Sequence, residues 1–207
     1  MKTACLVVGF SLCALVNIRA DIPEEYTGKP MSGTPASVPG IIQAEAYDVA
    51  PDGTKDVTFG HAGEPKKSTY RPQADAVGVA GFGKGHVSTT GQAEAVDQVY
   101  VGWTRTGEWL KYTISVKEPG TYVFGGKFAA GAKDAKVSAT FGPGLTTGPL
   151  AIPTTAGFQP GVEVYHVWET LDNLAEIQLP AGTYVMTVKI ESGAGLNFDY
   201  FSLKKKS

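Results

Sequence analysis

Between Gly102 and Tyr122 the chain reads GWTRTGEWLKYTISVKEPGTY, placing Trp103, Trp109, Tyr112 and Tyr122 within one short stretch. Rigid rings at such density suit stacking on the apolar faces of sugars, whose C–H groups meet the π-cloud. Trp and Tyr are also favoured strand and core residues, so ring density alone does not select the ligand-binding use. Catalytic constellations are weaker. A glycosidase needs two carboxylates facing each other across the substrate. Glu94, Asp97 and Glu108 are numerous enough, but loop carboxylates are ordinarily just solvated. Glu94 is assigned at most a hydrogen bond to a sugar hydroxyl. His61, His86 and His166 are scattered without metal-ligand spacing, and no nucleophile elbow accompanies any serine.

The segments that would position these rings read as strands. From Trp109 to Val116, the residues Leu110, Tyr112, Ile114 and Val116 alternate with Lys111, Thr113 and Ser115. This period of two predicts one buried and one wet face. Tyr122, Phe124 and Phe128 extend the pattern, with Gly125 and Gly126 suggesting a bulge or a close backbone approach. Tyr184, Met186, Val188 and Ile190 line one face of a further strand. The tetrapeptide GTYV opens two strands, at Gly120 and at Gly182, each after a Pro-containing turn. We read it as one turn solution used twice rather than as a repeat. Residues 141–161 are rich in Gly, Pro and Thr and predict a long loop of the kind that is often functional. Many short strands with closely spaced turn signals predict an all-β fold, an antiparallel β-sandwich.

Length and composition fit that class. The 207 residues suit one domain, and 43% hydrophobic content is enough for a core. Residues 1–20 read as a secretory signal peptide: Lys2, an apolar run from Ala4 to Val16 too short to span a bilayer, then a polar stretch ending at Ala20. The expected location is therefore secreted and extracellular. Both cysteines, Cys5 and Cys13, fall within this leader, so the mature domain must be held by its core or by a metal. Lys2 and Arg19 leave with it, so 18 basic residues fall to 16 against 20 acidic, and the net charge moves from −2 to −4. That balance argues against nucleic acid or an anionic membrane as partner. Residues 21–40 read as a Pro-rich linker or arm, 41–203 as the folded module and 204–207 as a basic tail.

Four segments in order resemble a family 6 carbohydrate-binding module, one of the galactose-binding-like jelly rolls. They are Ile42-Gln43-Ala44-Glu45-Ala46-Tyr47; Tyr70-Arg71-Pro72 with Ala76-Val77-Gly78-Val79; Val101-Gly102-Trp103 with Gly107-Glu108-Trp109-Leu110-Lys111-Tyr112-Thr113 and Pro119-Gly120-Thr121-Tyr122; and Leu179-Pro180-Ala181-Gly182-Thr183-Tyr184 with Asn197-Phe198-Asp199-Tyr200-Phe201. Residues 129–170 match the family poorly and are longer than it usually needs. The resemblance implies that Trp103 is the first platform ring. It implies a second before Leu179, for which Trp168 is preferred slightly over Tyr165. Asn197 matches the family's ligand-binding Asn, and an amide offers donor and acceptor together to vicinal hydroxyls. Gln43, Glu45 and Asp199 resemble its structural calcium (Ca2+) site, which needs hard oxygens. Asn197 and Asp199 share parity in a regular strand, so their separate roles require a bulge or a loop geometry at Phe198.

The expectation is a non-catalytic, secreted β-sandwich whose partner is a polysaccharide or oligosaccharide. By resemblance this is a cell-wall β-glucan, xylan or galactan. The oligomeric state is left open, a monomer included. Two alternatives stand beside it: a jelly-roll polysaccharide lyase or glycosidase, and a structural or protein-binding sandwich without a sugar site.

Overall fold

The computed structural model describes residues 20, 22–51, 56–62, 66–157 and 159–207. The signal-peptide expectation, apart from Ala20, lies outside them. Two sheets face each other. In the first, strand Ala36–Val38 pairs in parallel with Trp109–Val116, followed by Gly182–Ser192, Lys136–Gly142 and the short Leu145–Thr146. In the second, the order is Gly78–Gly81, Val99–Gly102, Leu196–Lys205, Gly120–Ala130, Val167–Leu179 and Val87–Ser88, with Gly40–Gln43 also on Leu196–Lys205. The long neighbours are antiparallel, and the whole is the expected β-sandwich.

The period-two faces meet between the sheets. Leu110, Tyr112, Ile114 and Val116 from one strand, and Tyr184, Met186, Val188 and Ile190 from its neighbour, are all buried. Tyr122, Phe124, Phe128, Phe198, Phe201 and Leu203 supply the opposite layer. Both GTYV turns share one hydrogen bond: the Tyr122 hydroxyl donates to the Glu118 carbonyl and the Tyr184 hydroxyl to the Pro180 carbonyl, each at 2.7 Å. Gly125 is a close approach, since a β-carbon there would fall 2.4 Å from the Leu171 carbonyl oxygen.

The N-terminal arm differs from a free linker. Ala36–Val38 is a strand, so the folded unit begins before residue 41. Upstream, the Tyr26 hydroxyl donates to Asp48 at 2.7 Å, and that buried carboxylate also accepts from the Thr113 backbone N–H at 2.9 Å. The lysine tail is likewise engaged: Lys204 with Asp172, Lys205 with Glu118 and Lys206 with Glu176. Among the described residues no helix is long and apolar enough to cross a membrane.

The last strand carries an irregularity at Asp199. Lys127 pairs with Tyr200 and Phe128 with Phe198, which leaves Asp199 as the extra residue of a bulge. Before it, Leu196 and Phe198 point into the core; after it, Phe201 and Leu203 do. The bulge switches the parity of the strand, one residue later than Phe198.

Candidate functional site: a cleft at one end of the sandwich

Three chain segments converge where the second sheet ends. Strand Val99–Gly102 stops at Trp103, strand Leu196–Lys205 starts beside Asn197, and Tyr165 and His166 sit in a 3-10 turn, Val164–His166, that precedes strand Val167–Leu179. They line a cleft of about 420 Å³, shared with Tyr100, Thr104 and Arg105.

Trp103 is half exposed, at 50%, and its φ is +54°. A bulky residue in the left-handed region costs about 1–3 kcal/mol and persists only where its surroundings enforce it. The enforcing contacts are local. The Thr104 hydroxyl donates to the Leu196 carbonyl at 2.5 Å, and the Gly195 N–H donates to the Thr104 carbonyl at 2.8 Å. Glu108, fully buried, accepts from the Arg105 N–H at 2.8 Å and the Ala62 N–H at 3.2 Å, which commits its carboxylate to holding the loop. The turn is therefore rigid while the indole faces outward, its ring stacked on Tyr100 with centroids 6.2 Å apart.

Asn197 lies at the bottom. It is 3% exposed, and its amide donates to the Tyr165 carbonyl at 2.8 Å. Tyr165 is itself exposed and lies against Gly195, where any β-carbon would come within 2.7 Å of its ring. One amide thus ties the strand that carries Asn197 to the turn that carries Tyr165.

Trp168, preferred above as that second ring, does not serve as one. It is 1% exposed and packs on Phe82 at 4.6 Å and Tyr100 at 5.3 Å. Its parity does turn it away from the main core. The parallel pairing of Val87–Ser88 with Val167 and Trp168 then lays another segment over it. Its indole N–H donates to His86 Nδ1 at 3.1 Å. The exposed ring at this edge is Tyr165. Glu94 is also placed elsewhere: its carboxylate is 2.5 Å from the Lys127 ammonium, and it does not line the cleft.

The three expected metal ligands lie on the last strand or on the segment beside it. Gln43 pairs with Tyr200 across the sheet and is exposed. Asp199 is 3% exposed, and its Oδ2 has no hydrogen bond, although Lys127 Nζ stands 3.3 Å away. Glu45 Oε2 is buried without a hydrogen bond as well. Burial, with the Asp199 charge adding to it, pushes the Glu45 carboxyl up to about 7. Burial raises Asp199 too, against the pull of Lys127. Among the described residues no three His, Cys, Asp or Glu side chains converge on one point.

Sequence comparison gives the class of this β-sandwich. The family model for carbohydrate binding module (family 6) matches residues 79–205. The chain belongs to that family. No curated protein matches it significantly. Among solved structures it is similar to a β-1,3-glucan-binding module from Bacillus halodurans, at 17% identity and TM-score 0.53, covering 83% of this chain and 99% of that one. It is also similar to the C-terminal module of a marine laminarinase from Zobellia galactanivorans, at 19% identity and TM-score 0.52, covering 80% and 98%. A third is a module of Cellvibrio mixtus lichenase 5A in complex with cellotriose, at 19% identity and TM-score 0.50, covering 82% and 99%. At such identities the likeness concerns the fold.

Proposed function

We propose that this chain is a secreted, non-catalytic protein that holds a cell-wall polysaccharide, a β-glucan, xylan or galactan, in the cleft between Trp103 and Tyr165. The observation that carries the reading is the placement of both exposed rings around the buried amide of Asn197. Each ring offers an apolar face to a sugar. The amide, held by its bond to the Tyr165 carbonyl, keeps its Oδ1 for a hydroxyl. The site has features of a binder: rigid anchors on pinned backbone, with little to reorganise when ligand arrives.

The same reading takes calcium as a structural ion at Glu45 and Asp199. Two buried oxygens without hydrogen bonds, from Glu45 and Asp199, are hard donors whose charge Lys127 offsets only in part. When bound, the ion would supply the missing positive charge. Glu45 and Asp199 would contribute carboxylates, and Gln43 an amide oxygen.

The test is a panel of laminarin, mixed-linkage glucan, xylan and galactan in affinity electrophoresis, with reducing ends measured in parallel. Retention on at least one polymer, lost in Trp103→Ala and Tyr165→Ala and without release of reducing ends, is the expected result. Retention untouched by both substitutions would remove the cleft from the function.

A further inference from the structure

Resting on that reading of the cleft, we propose that His166 is a further saccharide-contacting residue and that buried Trp168, acting through His86, is its positioning residue. His166 lines the cleft beside Tyr165. Its ring lies flat on His86, with centroids 3.9 Å apart and planes 21° from parallel. Its Nδ1 faces Glu163 Oε2 at 3.5 Å. Among the described residues its Nε2 has no hydrogen-bond partner, so that atom is left for a ligand hydroxyl.

A stacked pair of imidazoles is useful only if the lower one is fixed. His86 is 4% exposed and its Nδ1 accepts the Trp168 N–H. That bond leaves the His86 proton on Nε2 and fixes the ring orientation. Burial, with His166 adding to it, pushes the His86 imidazole down to about 4, so it is neutral under ordinary conditions. A neutral ring can support a second ring without charge repulsion. Trp168 in turn is clamped by Phe82 and Tyr100, and Tyr100 stacks under Trp103. Both walls of the cleft therefore hang on one buried aromatic cluster. Among the described residues, Glu163 beside the turn and His86 beneath are in contact with His166, and Tyr100, Arg105 and Tyr165 line the same cleft.

The experiment uses the whole chain with laminarin, xylan and galactan, taking whichever polymer shows binding that Trp103→Ala reduces. His166→Ala lowers affinity about fivefold or more, and His166→Gln, which restores a donor and an acceptor, recovers part of it. Trp168→Phe keeps an aromatic ring but removes the N–H. Two-bond proton–nitrogen spectra then show His86 changing from the Nε2–H tautomer to a mixture, and affinity falls about threefold. Wild-type affinity in His166→Ala overturns the contact. A changed tautomer with unchanged affinity in Trp168→Phe overturns the positioning role. Should Trp168→Phe fail to fold, the two His166 variants still decide the contact, and the His86 tautomer of the wild type decides the lock. If Trp103→Ala also leaves binding intact on every polymer, the cleft reading fails, and this inference with it.

Discussion

Gly102 and Asn197 are neighbours so close that a β-carbon on the glycine would fall 2.9 Å from Oδ1 of the asparagine, and 2.7 Å from the Tyr100 ring. The absent side chain leaves room for the amide that floors the cleft. Gly102→Ala is therefore expected to displace Asn197 and weaken polysaccharide binding by about 1–2 kcal/mol, with a stability loss of about 1–3 kcal/mol, since neither neighbour can move freely. Isothermal titration alongside calorimetric melting separates the two. Unchanged affinity would mean that the amide is not used.

Trp103 combines an exposed ring with a strained backbone. Trp103→Ala removes an anchor and costs about 1–3 kcal/mol of binding, while the domain still folds. Trp103→Gly loses the same binding but melts higher than the Ala variant, because only Gly tolerates φ +54° without a penalty of about 1 kcal/mol. Equal melting temperatures for the two would show that the loop relaxes out of the left-handed region.

Calcium is expected to raise the melting temperature, and chelator to lower it, by mass action on the native state. Glu45→Ala with Asp199→Ala abolishes that response. Lys127→Met removes the cation beside Asp199 and costs about 3 kcal/mol in chelator, with a larger calcium response than wild type. Identical melting with ion and with chelator would remove the site.

His86 gives the stability a pH dependence whose sign is fixed by its lowered pKa. Folded, the imidazole titrates near 4; unfolded, near 6.5. Between those values the unfolded chain binds the extra proton, so stability rises with pH from about 4 to 6.5 and is fully present above. As pH falls through that window the contribution is lost. His86→Gln, which keeps an acceptor for the Trp168 N–H, should flatten this part of the profile. An unchanged slope would assign it to other groups.

Much of the fold was readable in the residues. The alternation in Trp109–Val116 marked a buried face because burial there follows the pleat, except at Thr113, which the sequence placed on the wet face and which is buried against Asp48. The GTYV pairs marked one turn because the Tyr hydroxyl needs a carbonyl four residues back, and both turns supply it. The parity break at Asp199 was also present in the sequence, as apolar residues at 196 and 198 and then at 201 and 203. The choice between Tyr165 and Trp168 was not readable. Trp168 points outward by parity, and the distant Phe82–Ser88 segment together with Tyr100 makes it core. The commitment of Glu94 to Lys127, 33 residues apart, depends likewise on tertiary approach.

The last strand runs from Asn197 at the cleft to lysines 204–206, which are tied by ion pairs to Asp172, Glu118 and Glu176. At about 3.3 Å per residue, this sets the cleft some 25 Å from that end. If the cleft is the sugar site proposed above, a bead, a dye or a fused partner attached through the C-terminal residues points away from the sugar, and the protein can be immobilised there as an oriented capture reagent with its binding face turned outward.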